Sequence, residues 1–206
     1  MVIKIKSNNI LYVSICLPAY NMEKYIEKSI LSILNQSFQN FEIIIVNDNS
    51  NDNTKDIILR LQSKYDRIKL INHSKNLGVY KSRVDAILSS RGKYILLMDP
   101  DDMIINPQLL EEINNYNLKY NLDIIEFTSI CYIEQKGIFK IINKYYHYHN
   151  FTKNIIIQPE LSDIFFYYPN TNYNSRVQCR IIWNKIIRRK VLLIFIFFFS
   201  VFILFI

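Results

Sequence analysis

Two kinds of hydrophobic pattern alternate along the first half of the chain. Short, mostly apolar stretches cover Leu11 to Pro18, Phe41 to Val46, Ile68 to Asn72 and Tyr94 to Met98. Runs of this length, rich in β-branched residues and stopped by Pro, Asn or Asp, predict buried strands. Between them, apolar residues recur at helical spacing. Ile26, Ile30, Ile33 and Leu34 mark one helix, with Asn21 as its expected cap. Ile57, Ile58 and Leu61 mark a second, capped by Ser50 or Asp52. Val79, Val84, Ala86, Ile87 and Leu88 mark a third, from about Gly78 to Ser90, with Gly92 placed for its C-terminal turn. Asn106 and Pro107 open a fourth, with Leu109, Leu110 and Ile113 inward.

Continuous apolar strands joined by helical crossovers imply an α/β fold, a mainly parallel sheet with helices on both faces. Functional residues of such folds lie beyond the carboxyl ends of the strands. The polar clusters sit there: "PAYN" after the first strand, "NDNSND" after the second, "DPDD" after the fourth.

The second half is less regular. "DIIEFTSICYI" and "GIFKII" read as strands, and "KYYHYHNFTKN" as a loop or strand edge. "ELSDIFFYY" reads as a short helix and "RIIWNKIIRRKVLL" as a longer one. Val191 to Ile206 is apolar except for Ser200, a little shorter than the roughly 17–25 residues of a membrane span. It follows Arg188, Arg189 and Lys190, so the expectation is a domain at 1–190 and an apolar helical tail at 191–206. The tail would associate with a membrane, with the domain facing the cytoplasm. A helix packed back on the domain, or a truncated end of the reading frame, are the alternatives.

Composition narrows the chemistry. Only 3 of 206 residues are Gly, and neither a GxGxxG nor a Walker lysine motif occurs. The familiar dinucleotide and P-loop solutions are therefore excluded. Cys16, Cys131 and Cys179 are widely spaced and odd in number, which fits reduced thiols better than disulfides or a zinc site. His147 and His149 have no ligand-type neighbour at metal spacing, so they read as structural. The net charge of +7 suits an anionic partner. No interleaving of aromatic and basic residues on a recognisable motif points to nucleic acid.

The candidate chemistry lies at the strand ends. Asp99, Asp101 and Asp102 crowd around Pro100, and like charges so placed repel unless a cation joins them. Hard divalent ions such as Mn²⁺ or Mg²⁺ take oxygen ligands of this kind. A polar turn before the Asn106 cap is the plainer reading of the same residues. Asp48 reads either as an Asx turn or as an acceptor for a base N–H. Lys75, Lys81 and Arg83 would suit an anionic ligand, and His73 ends the third strand near this site.

Taken in order, "VSICLPAYNMEKYIEKSILSILNQSFQNFEIIIVNDNSNDNT", "NLGVYKSRVDAI" and "GKYILLMDPDD" resemble the start of a glycosyltransferase family 2 domain with the Rossmann-like GT-A fold. The likeness is strongest from Tyr12 to about Leu110 and returns at "IIWNKIIRRKVL". It implies transfer of a sugar from a nucleotide-diphosphate donor, usually a UDP-sugar, with inversion and with Mn²⁺ or Mg²⁺ as cofactor. By that resemblance Pro18 and Tyr20 border the base, Asp48 hydrogen-bonds it, Arg83 contacts the nucleotide and Asp99 reaches the ribose. Asp101 binds the metal, supported by Asp102. The acceptor is left open between carbohydrate, lipid-linked and protein classes. Family members place a carboxylate base after the segment like "WNKIIRRK", but no Asp or Glu occurs between Lys185 and Ile206. Glu160 and Asp163 are the nearest upstream acids. The alternative is a truncated, non-catalytic relative that binds nucleotide-sugar.

Overall fold

A computed structural model describes residues 12–126, 132–133, 138–139, 147–150, 155–157, 185–194 and 196. The first half alternates as the hydrophobic pattern requires: β1 (Val13–Ala19), α1 (Ile26–Leu34), β2 (Phe41–Asn47), α2 (Thr54–Gln62), β3 (Ile68–Asn72), α3 (Val79–Ser89), β4 (Tyr94–Leu97) and α4 (Leu109–Tyr120). Six short strands follow: β5 (Ile124–Glu126), β6 (Tyr132–Ile133), β7 (Ile138–Phe139), β8 (His147–Asn150), β9 (Ile155–Ile157) and β10 (Lys185–Arg188).

The main sheet has eight strands in the order β3-β2-β1-β4-β10-β5-β8-β9, and β6 pairs with β7. Its first four strands are parallel, with Ile15 opposite Ile43 and Leu96, and Ile45 opposite Leu70. From β4 onward every pairing is antiparallel. The parallel sheet expected from the first half is thus extended into a mixed one.

Alternation along the parallel strands builds two cores. Ile15, Leu17, Ile43, Ile45 and Leu96 face one side, covered by Ile30 of α1, Ile58 of α2 and Leu110 of α4. Cys16, Ile44, Val46, Ile95 and Leu97 face the other, covered by Ala86 and Ile87 of α3. Helices on both faces explain why these strands read as continuous apolar runs rather than alternating ones.

The segment "RIIWNKIIRRKVLL", expected as one helix, instead contributes β10, and residues 189–194 are helical after it. β10 lies between β4 and β5, so Ile186 and Ile187 are buried in the sheet interior. A short apolar run buried on both sides has no periodicity that separates strand from helix. Beyond β10, Leu192, Leu193 and Ile196 pack against the core under α3. Among the described residues no helix is long and apolar enough to cross a membrane.

Several caps also differ from expectation. α4 starts at Leu109 with Gln108 as its N-cap residue, and Asn106 instead accepts from the Gln108 amide at 2.9 Å, in the turn before the helix. Asn21 lies before the turn that leads into α1, at φ 54°, and α1 starts only at Ile26. Gly92 does not end α3 with a left-handed turn. A Cβ there would lie 2.5 Å from Ser14 Oγ and 2.6 Å from Ser14 N, so the position is Gly because β1 passes too close for any side chain. The Gly92 amide donates to Ser14 Oγ at 2.8 Å, and Ser14 Oγ donates to buried Glu42 Oε1 at 2.6 Å. Glu42 also accepts from the Arg91 amide and from Arg91 Nε. Burial works to raise the Glu42 pKa, but these hydrogen bonds outweigh it and hold the carboxyl below its ordinary value.

Arg188, the last residue of β10, is turned inward. Its guanidinium donates to Asp123 Oδ1 and to the Leu122 carbonyl, and stacks over the Tyr94 ring 5.1 Å from the centroid. Removing one partner of such a buried pair costs about 3–5 kcal/mol. This lock fixes β10 beside β4 and so ties the distant C-terminal segment to the first half.

Candidate donor-nucleotide site

The chain crosses from β3 over the sheet, through α3, to β4 on the far side of β1. The strand order therefore reverses between β1 and β4, the point at which open α/β sheets bind ligands beyond the carboxyl ends of the strands. Four loops meet along this edge, after β1, β2, β3 and β4.

Pro18 is the buried penultimate residue of β1, and Tyr20 immediately follows the strand with 41 % of its surface exposed. An aromatic ring held at a strand end and open to water is suited to stacking on a flat ligand. The loops after β1 and β2 are stitched together. The Asn21 amide donates to Ser50 Oγ at 3.0 Å, and the Asn51 amide to Asn21 Oδ1 at 2.9 Å. The N-cap position of α2 is Asn53, whose side chain makes no capping bond; Asp52, one of the two expected caps, accepts from the Glu23 amide and from the amide of Thr54, the first residue of α2.

Asp48 is 3 % exposed and is a loop anchor. Its Oδ1 accepts from the Leu77 amide at 2.8 Å and lies 2.7 Å from His73 Nδ1, while Oδ2 accepts from the Gly78 amide at 2.8 Å. Burial acts to raise its pKa, yet the Leu77 amide, His73 and the Gly78 amide together hold it below the usual carboxylate value. A carboxylate offers about four acceptor positions, so one remains for a further donor. His73 continues the chain of contacts, with Nε2 3.0 Å from Asp85 Oδ2, and Asp85 Oδ1 accepts from Lys81 Nζ at 2.6 Å.

Gly78, at φ 86°, takes the left-handed backbone that starts α3 and aims its amide at Asp48. One and a half turns further along α3, Arg83 Nη2 donates to Asp99 Oδ1 at 2.6 Å. Arg83 Nε is buried and has no hydrogen-bond partner. Pro100 is buried and fixes the turn after β4, while Asp101 and Asp102 are exposed. The Asp102 amide donates to the Asp99 carbonyl at 3.1 Å, closing this turn. Desolvation by surrounding protein atoms, then the charges of Asp101 and Asp99, push the Asp102 carboxyl up to about 6.

Among the described residues, no three His, Cys, Asp or Glu side chains converge as a ready-made metal cage. The Asp-Pro-Asp-Asp turn still fits a hard divalent ion. Mg²⁺-type sites commonly use one or two carboxylates and complete the shell with substrate phosphates and water. The charges of Asp101 and Asp99, which after desolvation contribute to the raised Asp102 pKa, are what a bound cation would offset.

Tyr20, Asp48, Arg83 and Asp99 thus meet along one edge. Lys81 is committed to Asp85. Glu160 and Asp163 lie outside the described residues. The sequence reading missed Asp85, although its Lys81–Asp85 spacing of i,i+4 on α3 was a visible signal.

The chain matches glycosyl transferase family 2 over residues 14–193 and belongs to that family. It is 32 % identical over 180 residues to a Haemophilus influenzae protein named an uncharacterized glycosyltransferase, covering 84 % of this chain and 55 % of that one. It is 36 % identical over 124 residues to the Escherichia coli enzyme WfgD, covering 57 % of this chain and 48 % of that one. WfgD is named a UDP-Glc:alpha-D-GlcNAc-diphosphoundecaprenol beta-1,3-glucosyltransferase. The solved structure of S. aureus TarS 1-349 in complex with UDP superposes with a TM-score of 0.55 at 27 % identity, over 62 % of this chain and 38 % of that one. The chain spans about half the length of the curated relatives it matches.

Proposed function

We propose that the carboxyl-end edge at β1 and β4 binds a nucleotide-diphosphate sugar, most simply a UDP-sugar, as donor for inverting glycosyl transfer. The observation that carries this reading is Arg83: its Nη2 bonds Asp99 while its buried Nε lacks a partner, at the point where the strand order reverses. The likeness to TarS with UDP and to the UDP-Glc enzyme WfgD supports uracil as the base.

In this reading Tyr20 stacks on the base beside Pro18, and Asp48 offers its remaining acceptor position to a base N–H. Asp99, oriented by Arg83, receives the ribose hydroxyls. Asp101, with Asp102 beside it, would be the carboxylate that holds Mn²⁺ or Mg²⁺. When bound, that ion offsets the negative charge gathering on the departing diphosphate. Arg83 adds positive charge from the protein side.

Transfer also needs a carboxylate to take the acceptor proton. Glu160 and Asp163 are the proposed sources within this chain. Donor binding without transfer is the alternative, favoured by the lack of any carboxylate between Lys185 and Ile206. Calorimetry with UDP, with and without Mn²⁺, tests the donor reading directly. Saturable, metal-dependent binding is expected, and no heat of binding under either condition would refute it.

A further inference from the structure

His73 directly follows β3, and its backbone amide donates to the Asn47 carbonyl at 3.0 Å, continuing the β2–β3 ladder. The main chain at this position is therefore fixed by the sheet, whatever the side chain does. The imidazole is 8 % exposed and clamped between two carboxylates from different elements. Nδ1 lies 2.7 Å from Asp48 Oδ1 in the loop after β2, and Nε2 lies 3.0 Å from Asp85 Oδ2 on α3. Lys81 Nζ donates to the other Asp85 oxygen at 2.6 Å, so the far side of the clamp is itself braced.

These contacts decide which lone pair of Asp48 stays open. Asp48 is held below the usual carboxylate range although burial works against it, and an ionised carboxylate only accepts. Nδ1 therefore carries the hydrogen of its contact with Oδ1. Oδ1 also accepts from the Leu77 amide at 2.8 Å, which takes both of its positions. Oδ2 accepts from the Gly78 amide at 2.8 Å and keeps one position. A single aimed acceptor discriminates between bases. Uracil presents an N–H at N3 and is received, whereas cytosine presents a lone pair there and is repelled.

We infer that His73 is a positioning residue for donor selection. By filling Oδ1 it aims the open Oδ2 lone pair of Asp48 at a base N–H. Through Asp85 it ties that aim to α3, the helix that carries Arg83. This deepens the donor reading above and rests on it.

Calorimetry of the full chain with UDP and with CDP, each with Mn²⁺, tests the role. The parent protein should prefer UDP. His73→Ala should weaken UDP binding about tenfold and leave CDP binding nearly unchanged, so the preference collapses. His73→Asn, whose side-chain amide restores an N–H close to the Nδ1 position, should recover most of it. A purely structural role predicts instead that both nucleotides lose affinity together. Equal losses for UDP and CDP, or a His73→Asn variant as weak as alanine, would overturn the inference. A parent protein that binds neither nucleotide would refute the donor reading and this role with it. A parent that prefers UDP, with the same preference in both variants, would refute the role of His73 alone.

Discussion

Arg83 Nη2 donates to Asp99 Oδ1 across 2.6 Å, joining the middle of α3 to the end of β4. The Arg83 and Asp99 side chains are 26 % and 33 % exposed, so solvent screens the pair and its contribution to folding is about 1 kcal/mol or less. In the proposed donor site its value would be larger, because it sets both the carboxylate and the guanidinium. Arg83→Ala should barely change the melting temperature yet weaken UDP binding about tenfold or more. Arg83→Lys should recover little, since an ammonium lacks the planar fork. Unchanged UDP affinity in the alanine variant would remove Arg83 from the site.

In the proposed donor site Asp101, exposed in the turn after β4, is the carboxylate assigned to the ion. Asp101→Asn should erase the gain in UDP affinity that Mn²⁺ gives, while metal-free binding persists. Titrating Mn²⁺ at fixed UDP in both proteins measures this, and equal titrations would reassign the ligand to Asp99 or Asp102.

The proton-accepting carboxylate is the next test. If Glu160 or Asp163 serves, its amide variant should lower transfer by about 10²–10⁴-fold while UDP affinity stays constant. If this chain binds donor only, the parent protein will give no product with any acceptor, and residual release of free sugar will be the same in all three proteins.

The first four strands and helices were legible because β1, β2 and β4 are covered on both faces, β3 is the half-buried edge strand, and each helix is covered on one face. Their hydrophobic periods therefore differ, as Ile43 to Val46 and Ile26 to Ile33 illustrate. Asp48, Asp99 and Arg83 were findable from their strand-end and helix positions. β10 was not, because Ile186 and Ile187 occupy an interior strand whose neighbours are set by pairing with β4 and β5, far away in sequence. The Asp48–His73–Asp85 contacts were hidden for the same reason, since only the β2–β3 register, with Asn47 beside Asn72, brings His73 to Asp48.

Gly92 offers a stability test away from the site. Gly92→Ala would set a methyl group against Ser14 Oγ and the Ser14 backbone, and the backbone cannot swing aside. Overpacking of this kind costs about 1–3 kcal/mol. Urea denaturation should show a lower midpoint, and the added Ser14→Gly change should recover little, because the clash with the Ser14 amide nitrogen remains.

Asp48 couples loop geometry to pH. Its folded pKa is depressed, so the ionised carboxylate contributes stability in full above its unfolded value, about 3.9. That contribution is lost as pH falls through the still lower folded value. Asp52 and Glu42 are depressed as well, so several groups titrate in the same acid window. Asp48→Asn separates its share. An amide keeps one acceptor oxygen where the carboxylate used two, leaving the Leu77 or Gly78 amide to water and costing about 1–3 kcal/mol at neutral pH. The parent protein should therefore lose stability more steeply than the variant between pH 5 and pH 2, the two curves converging at the acid end. Melting temperatures across that range measure it, and parallel curves would mean that Asp48 is not the group whose ionisation holds the loop.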